Sequence, residues 1–257
     1  MNSTLSSIAE RLRESYGGPP IAPVREALEP NDIDAAYEVQ NINTEFWLAR
    51  GRRLAGRKIG LTSEAVQKQL GVDQPDYGML FADMQVADKG HVAPGRLIQP
   101  KVEAEIALVL KDDLAGTDLT VEQLRASVDY LVAAIEIVDS RIEAWRISIV
   151  DTIADNASSA LYVLGSEKHK PETVDVIDCR MTLSDGDGVV SQGFGRACLG
   201  SPYRAALWLA RKMAEVGRPL QRGDVVLTGA LGPMTDVVAG KSYRAEIEGL
   251  GSVGVSF

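Results

Sequence analysis

The stretch Lys101-Val102-Glu103-Ala104-Glu105-Ile106-Ala107-Leu108-Val109-Leu110 decides how this chain is read. It has the pattern of a strand, and on a strand residues two apart share a face. Glu103 and Glu105 therefore project together, with Ala107 and Val109 continuing their face. Val102, Ala104, Ile106, Leu108 and Leu110 form the other. Two adjacent carboxylates repel, and burying them is costly unless a cation or a proton compensates. A hard divalent metal meets that need; a solvated edge strand is the alternative for this segment alone. Apolar residues on both faces argue against plain exposure.

A third acid lies in Leu131-Val132-Ala133-Ala134-Ile135-Glu136-Ile137-Val138, which reads as a second buried strand. A glutamate in such a run needs a partner. Three carboxylates from two apolar strands suit Mg²⁺ or Mn²⁺, with positions left over for water or a chelating substrate. A buried salt bridge to Lys58, Lys101 or Arg141 is the structural alternative.

Composition narrows the classes. The 257 residues carry 27 basic and 36 acidic side chains, a net charge of −9, and no basic run exceeds three, so nucleic acid is disfavoured as a partner. No uncharged apolar run reaches the roughly 18 residues of a membrane helix. The first eleven residues lack the basic start and apolar stretch of a signal peptide. Two cysteines, Cys179 and Cys198, make no disulfide framework and no CxxC pair, so a reducing cytoplasm is expected. With only His91 and His169, a histidine triad or multi-histidine metal site is nearly excluded. Chemistry falls to carboxylates, lysine and hydroxyls.

Outward from the two strands, helices and strands alternate without a regular βαβ period, which predicts an α+β fold. Leu5, Ile8, Ala9, Leu12 and Tyr16 give a first helix, ended by Gly17-Gly18-Pro19-Pro20. A second runs from a cap at Asn31 to Gly51. Arg57 to Leu61 reads as a strand, and Ser63 to Leu70 as a short helix closed by Gly71. Thr120-Val121-Glu122-Gln123 is a capping box, and Ser201-Pro202 opens a long helix that stops at Gly217. The tail returns to strands at Asp224–Thr228, Tyr243–Glu248 and Val253–Phe257.

Other signals are weaker alone. Lys58 reads first as a solvated lysine, Asp76 as a turn residue, and Asp155-Asn156-Ala157-Ser158-Ser159 as a helix cap. Gly229 to Pro233 reads as a loop between strands. The dinucleotide and phosphate-loop glycine patterns are missing.

Together the pieces resemble one family, the 2-oxopent-4-enoate (2-hydroxypenta-2,4-dienoate) hydratases. These belong to the hydratase/decarboxylase branch of the fumarylacetoacetate hydrolase superfamily. The likeness is carried by Arg57-Lys58-Ile59-Gly60-Leu61-Thr62, Leu70 to Gly78, Phe81-Ala82-Asp83-Met84, Glu103-Ala104-Glu105 and Glu136 to Arg141. Asp155 to Ser159, Gly223 to Met234 and Gly249 to Val253 extend it over nearly the whole chain. Ala160 stands where glycine is often expected.

The resemblance implies a mixed β-roll with peripheral helices: one unit over 1–257, with a helical region at 1–51 and a catalytic roll at 52–257. It implies Mg²⁺ or Mn²⁺ held by Glu103, Glu105 and Glu136, Lys58 and Asp76 as the catalytic pair, and Ser158 against the substrate. The implied reaction is a metal-dependent hydro-lyase step in the degradation of aromatic compounds, in which 2-hydroxypenta-2,4-dienoate gains water to give 4-hydroxy-2-oxopentanoate. Implied partners are this small dienoic acid, further copies of the chain and a decarboxylase of the same pathway. Two alternatives are a decarboxylase acting on 2-oxo-3-hexenedioate, whose second carboxylate would call for an extra cation in the pocket, and a non-catalytic partner of that enzyme. Neither histidine lies in a motif matching the superfamily's hydrolases.

Overall fold

The computed structural model describes residues 3–29, 31–63, 67 and 72–257. The helix expected from Ser63 to Leu70 lies outside the described residues, Ser63 and Gln67 excepted. Helix α1 (Ser3–Ser15) buries Leu5, Ile8, Ala9 and Leu12, four of the five residues whose spacing predicts it, while Tyr16 lies beyond its end and is exposed. Helix α2 (Ile33–Ala49) is capped one residue later than expected: Asp32 Oδ1 accepts the Ala35 N–H at 3.0 Å. Asn31 has φ +60°, a left-handed backbone unlike the extended one an N-cap uses.

Two sheets form the roll. The first contains β1 (Leu54–Gly60), β2 (Asp76–Phe81), β3 (Gln85–Val86), β5 (Lys101–Leu110), β6 (Val128–Val138), β7 (Ser159–Leu164) and β10 (Val225–Ala230). Their order is β2-β1-β10-β5-β6-β7-β3, and β11 (Thr235–Asp236) pairs with the start of β5. The β1–β10 and β3–β7 pairs are parallel and the others antiparallel. The second sheet runs β4-β13-β12-β8-β9, made of β4 (Gly90–His91), β8 (Arg180–Ser184), β9 (Val189–Phe194), β12 (Ser242–Ile247) and β13 (Gly251–Ser256). It packs on the first through β6, β7 and β5. The fold is the α+β roll expected, and its core is a continuous apolar cluster centred on β5 and β6.

Register positions the acids. The antiparallel pairing of β5 with β6 sets Glu103 directly opposite Glu136, so three glutamates from two strands share one face. On the other side of β5, the register with β10 shifts between Leu227 and Ala230. That irregularity frees the Gly229 N–H for a side chain.

Helices cover the roll's flanks. The capping box of α3 (Val121–Ala126) forms as read, Thr120 Oγ1 accepting from Gln123 N–H and Gln123 Oε1 from Thr120 N–H. Helix α5 (Pro202–Glu215) follows its Ser201 cap and stops before Gly217 at φ +71°. A second apolar cluster joins α1 and α2 to α4 (Ile149–Ala154). Buried Gln40 ties these layers together: its Nε2 donates to Tyr77 O on β2 (2.9 Å) and to Ile153 O on α4 (3.0 Å). Gln40→Ala removes both bonds in a dry place, although the Ile153 carbonyl keeps the Asp155 N–H. It should cost about 2–3 kcal/mol in urea unfolding with little change in the slope against denaturant.

Candidate active site

Three carboxylates meet beside one lysine. Glu103, Glu105 and Glu136 each offer an oxygen, and these oxygens lie within 4.8 Å of one another. Glu105 and Glu136 are fully buried, while Glu103 opens to a cavity of about 520 Å³. Glu105 Oε2 accepts the freed Gly229 N–H at 2.8 Å. Its Oε1, Glu136 Oε1 and Asp76 Oδ1 are buried without a hydrogen-bond donor, and Glu136 Oε2 has the Lys58 ammonium as its ion-pair partner. Hard oxygen donors, converging and unsatisfied, fit a divalent cation of the Mg²⁺ or Mn²⁺ kind.

Lys58, only 3% exposed, is no solvated lysine. Its Nζ stands 3.2 Å from Glu136 Oε2 as an ion pair and donates to the Ala157 carbonyl at 3.2 Å. Of the three salt-bridge partners considered for Glu136, Lys58 is the one in place. Burial pushes its pKa down, but Glu136, Asp76, Glu103 and Glu105 push it up by more, so the ammonium stays charged.

Asp76 is no turn residue either. It opens the fully buried strand β2 and sits across from Gly60 in the β1–β2 register. A Cβ at Gly60 would come within 2.2 Å of Asp76 Oδ1, so only glycine leaves room for the carboxyl beside Lys58. Burial raises Asp76 to about 6, with Lys58 opposing and Glu136 adding to the shift.

The segment from Asp155 to Ser159 is not a helix N-cap. Asp155 ends α4, and its carboxylate is taken by Arg141: Nε to Oδ1 at 2.5 Å and the backbone N–H to Oδ2 at 2.9 Å. The turn beyond it presents the Ala157 carbonyl to Lys58 and sets Ser158 Oγ 3.3 Å from Thr152 Oγ1, both hydroxyls lining the cavity. Gly229 and Ala230, read as loop, end β10. Thr152, the Gly229 N–H and the backbone role of Ala157 escaped sequence reading, since none carries a titratable signature. Away from the acids the wall is apolar: Leu61, Val138, Trp145, Ile147, Pro233 and Met234.

This roll and this carboxylate site define the class. Residues 55–256 match the fumarylacetoacetate (FAA) hydrolase C-terminal family, and the chain belongs to it. It is 60% identical over 240 residues to 2-keto-4-pentenoate hydratase 2 of Dechloromonas aromatica strain RCB, covering 93% of this chain and 92% of that one. To 2-keto-4-pentenoate hydratase 1 of the same strain it is 59% identical over 255 residues, covering 99% and 97%. Among solved structures it resembles 4-oxalocrotonate decarboxylase from Pseudomonas putida G7, complexed with magnesium and adipate. That match has a TM-score of 0.96 and 32% identity, over 100% of this chain and 98% of that one.

The acids set a pH dependence. Burial first, then Glu136, raises Glu103 from an ordinary 4.5 to about 7, and burial, then Glu136 and Glu103, raises Glu105 in the same direction. A group raised in the folded state favours folding below its unfolded value, and that contribution is lost as pH rises through the folded value. In chelator-treated protein the melting temperature should therefore fall between about pH 4.5 and pH 7. Added Mg²⁺ should flatten that fall, as calorimetry at both ends of the range would record.

Proposed function

We propose that this protein is a metal-dependent hydro-lyase that adds water to 2-hydroxypenta-2,4-dienoate, the enol form of 2-keto-4-pentenoate, giving 4-hydroxy-2-oxopentanoate. The observation that carries this reading over the decarboxylase alternative is the cavity's make-up. Among the described residues lining it, Lys58 is the only cation, and it is already engaged by Glu136 and the Ala157 carbonyl. The far wall is apolar. A dienoate with one carboxylate and a short hydrocarbon tail suits such a pocket, whereas the second carboxylate of a hexenedioate would be desolvated without a partner. The 59–60% identity to two 2-keto-4-pentenoate hydratases supports the same choice.

In this reading Glu103, Glu105 and Glu136 hold the divalent cation. When bound, the cation would supply positive charge beside the 2-oxo acid's oxygens, stabilising the negative charge that develops on them during tautomerisation. Asp76, raised to about 6, can hold a proton and give it up near neutral pH, and is the group assigned to deliver one to C5 while the C2 hydroxyl releases its own; the water that then adds its OH at C4 leaves its other proton for C3. Lys58 stays charged, fixes Glu136 and orients the substrate's polar end. Ser158, paired with Thr152, positions the substrate or the water that adds at C4.

Loss of dienol absorbance, followed with and without Mg²⁺ or Mn²⁺, tests the reaction. Turnover of the pentadienoate but not of the hexenedioate is expected, and the reverse preference would overturn the reading. Glu103→Gln, Glu105→Gln and Glu136→Gln should weaken cation binding and turnover together. Lys58→Ala and Asp76→Asn should each lower kcat by about 10²-fold with cation affinity retained.

The same reading extends to assembly and location. The helical region is tied to the roll through Gln40, which supports one functional unit over 1–257. The outer strand β9 exposes Val189 and Phe194 at a sheet edge, which supports a homo-oligomer. Light scattering should report a species larger than a dimer, and a stable monomer would refute this. Both cysteines are free and buried, which suits a reducing cytoplasm.

A further inference from the structure

The segment Asp155-Asn156-Ala157-Ser158-Ser159 holds an unusual backbone. Asn156, Ala157 and Ser158 have φ of 56°, 50° and 52°, three consecutive left-handed residues that all carry a Cβ. That region is unfavourable for each of them and persists only where the surroundings impose it. The turn nonetheless delivers two groups to the site, the Ala157 carbonyl at Lys58 Nζ and the Ser158 hydroxyl beside Thr152.

What imposes it is the Asn156 side chain. Among the described residues β2 lies at the edge of its sheet, with β1 on one side and no strand on the other. Asn156 fills the open edge at Met79: Oδ1 accepts the Met79 N–H at 2.7 Å, and Nδ2 donates to Met79 O at 3.0 Å. The carboxamide thus pairs with a peptide group as a neighbouring strand would. The Asn156 backbone presses on the same strand, since a Cβ at Gly78 would come within 2.4 Å of Asn156 O. Asp139 N–H closes the far end by donating to Ser158 O at 2.8 Å. In the β1–β2 register Gly78 faces Lys58, so the clamp and the lysine meet at one level of the sheet.

We infer that Asn156 is a positioning residue, clamping the 156–158 turn to Met79 so that the Ala157 carbonyl holds Lys58 and Ser158 faces the substrate. The inference rests on the hydratase reading for its catalytic consequence, but the clamp itself stands on the geometry. Only an amide makes both bonds. Asn156→Asp sets an oxygen against Met79 O, and Asn156→Ala removes both contacts. Asn156→Ser keeps a short acceptor and serves where the alanine variant folds poorly.

Two measurements test it. Hydrogen exchange in the peptides covering 155–160 and Met79 should quicken at least tenfold in the Asp and Ala variants, with the β5 and β6 peptides unchanged. Unchanged exchange at 155–160 overturns the clamp. In steady-state assays of the Mg²⁺-loaded enzyme, kcat for the pentadienoate should drop at least tenfold, with KM and Mg²⁺ affinity within threefold of wild type. The drop should shrink to less than threefold when Asn156→Ala is placed in a Lys58→Ala/Ser158→Ala background, because a residue acting through those two groups has nothing left to position. A penalty of equal size in both backgrounds, or wild-type kcat in a folded variant, overturns the positioning role. A wild-type enzyme inactive on the dienoate would refute the hydratase reading, and the exchange result would still decide the clamp.

Discussion

Four carboxyl groups, from Glu103, Glu105, Glu136 and Asp76, gather in a largely buried place around the single ammonium of Lys58. Fully ionised, they would leave three negative charges uncompensated where water cannot screen them. The fold must answer this before anything else. Part of the answer is protonation, visible in the raised pKa values of Glu103, Glu105 and Asp76. Part is the Lys58–Glu136 ion pair and the Gly229 N–H on Glu105. The unpaired oxygens that remain are the demand a divalent cation would satisfy, and the site's stability and chemistry are then aspects of one charge balance.

The central strands were legible because their chemistry contradicts their polarity. Glutamates at positions 103, 105 and 136 in apolar runs announce both the strand period and the buried acid cluster. Capping signals at Thr120 and Ser201 were equally readable, since they rest on local hydrogen bonds that form within a few residues. What escaped was set by distant partners. Lys58 and Asp76 look like surface and turn residues until the β1–β2 register buries them across from Gly60 and Gly78. Asp155 to Ser159 has the composition of a cap, and only Arg141 and Met79, 14 and 77 residues away, turn it into a docked turn. Asn31 lost the cap to Asp32 through a single left-handed φ that no local rule specifies. The roles of Lys58, Asp76 and Ser158 came from family resemblance rather than from pattern.

The fold divides the site's work between two kinds of backbone. The three glutamates stand on β5 and β6, regular strands at the centre of a sheet with neighbours on both sides. Such positions move little, and carboxylates placed there keep their mutual spacing whether or not anything is bound. Several groups lining the cavity away from the acids lie instead where strands end. Leu61 leaves β1 with φ +58°, Trp145 sits at φ +53°, and Ser158 closes the left-handed turn. Strained ends are costly to hold but can present a side chain or a carbonyl at angles a strand does not offer.

That division bears on how one roll can serve different reactions. A hydratase and a decarboxylase of this fold share the need to gather charge on the oxygens of a 2-oxo acid, so the acid cluster has little freedom to change. They differ in what the other end of the substrate carries. In this chain the cavity wall away from the acids is formed by Leu61, Val138, Trp145, Ile147 and Met234, contributed by loops and strand ends rather than by the sheet's interior. Substituting there alters which tail is desolvated without disturbing the β5–β6 register that fixes the carboxylates. Specificity and charge stabilisation are therefore separable in this architecture. The exception is the turn at 156–158, which is anchored to β2 on one side and touches both Lys58 and the cavity on the other. There the two surroundings share a single piece of backbone, so a change that loosens it moves the carbonyl on Lys58 and the Ser158 hydroxyl together.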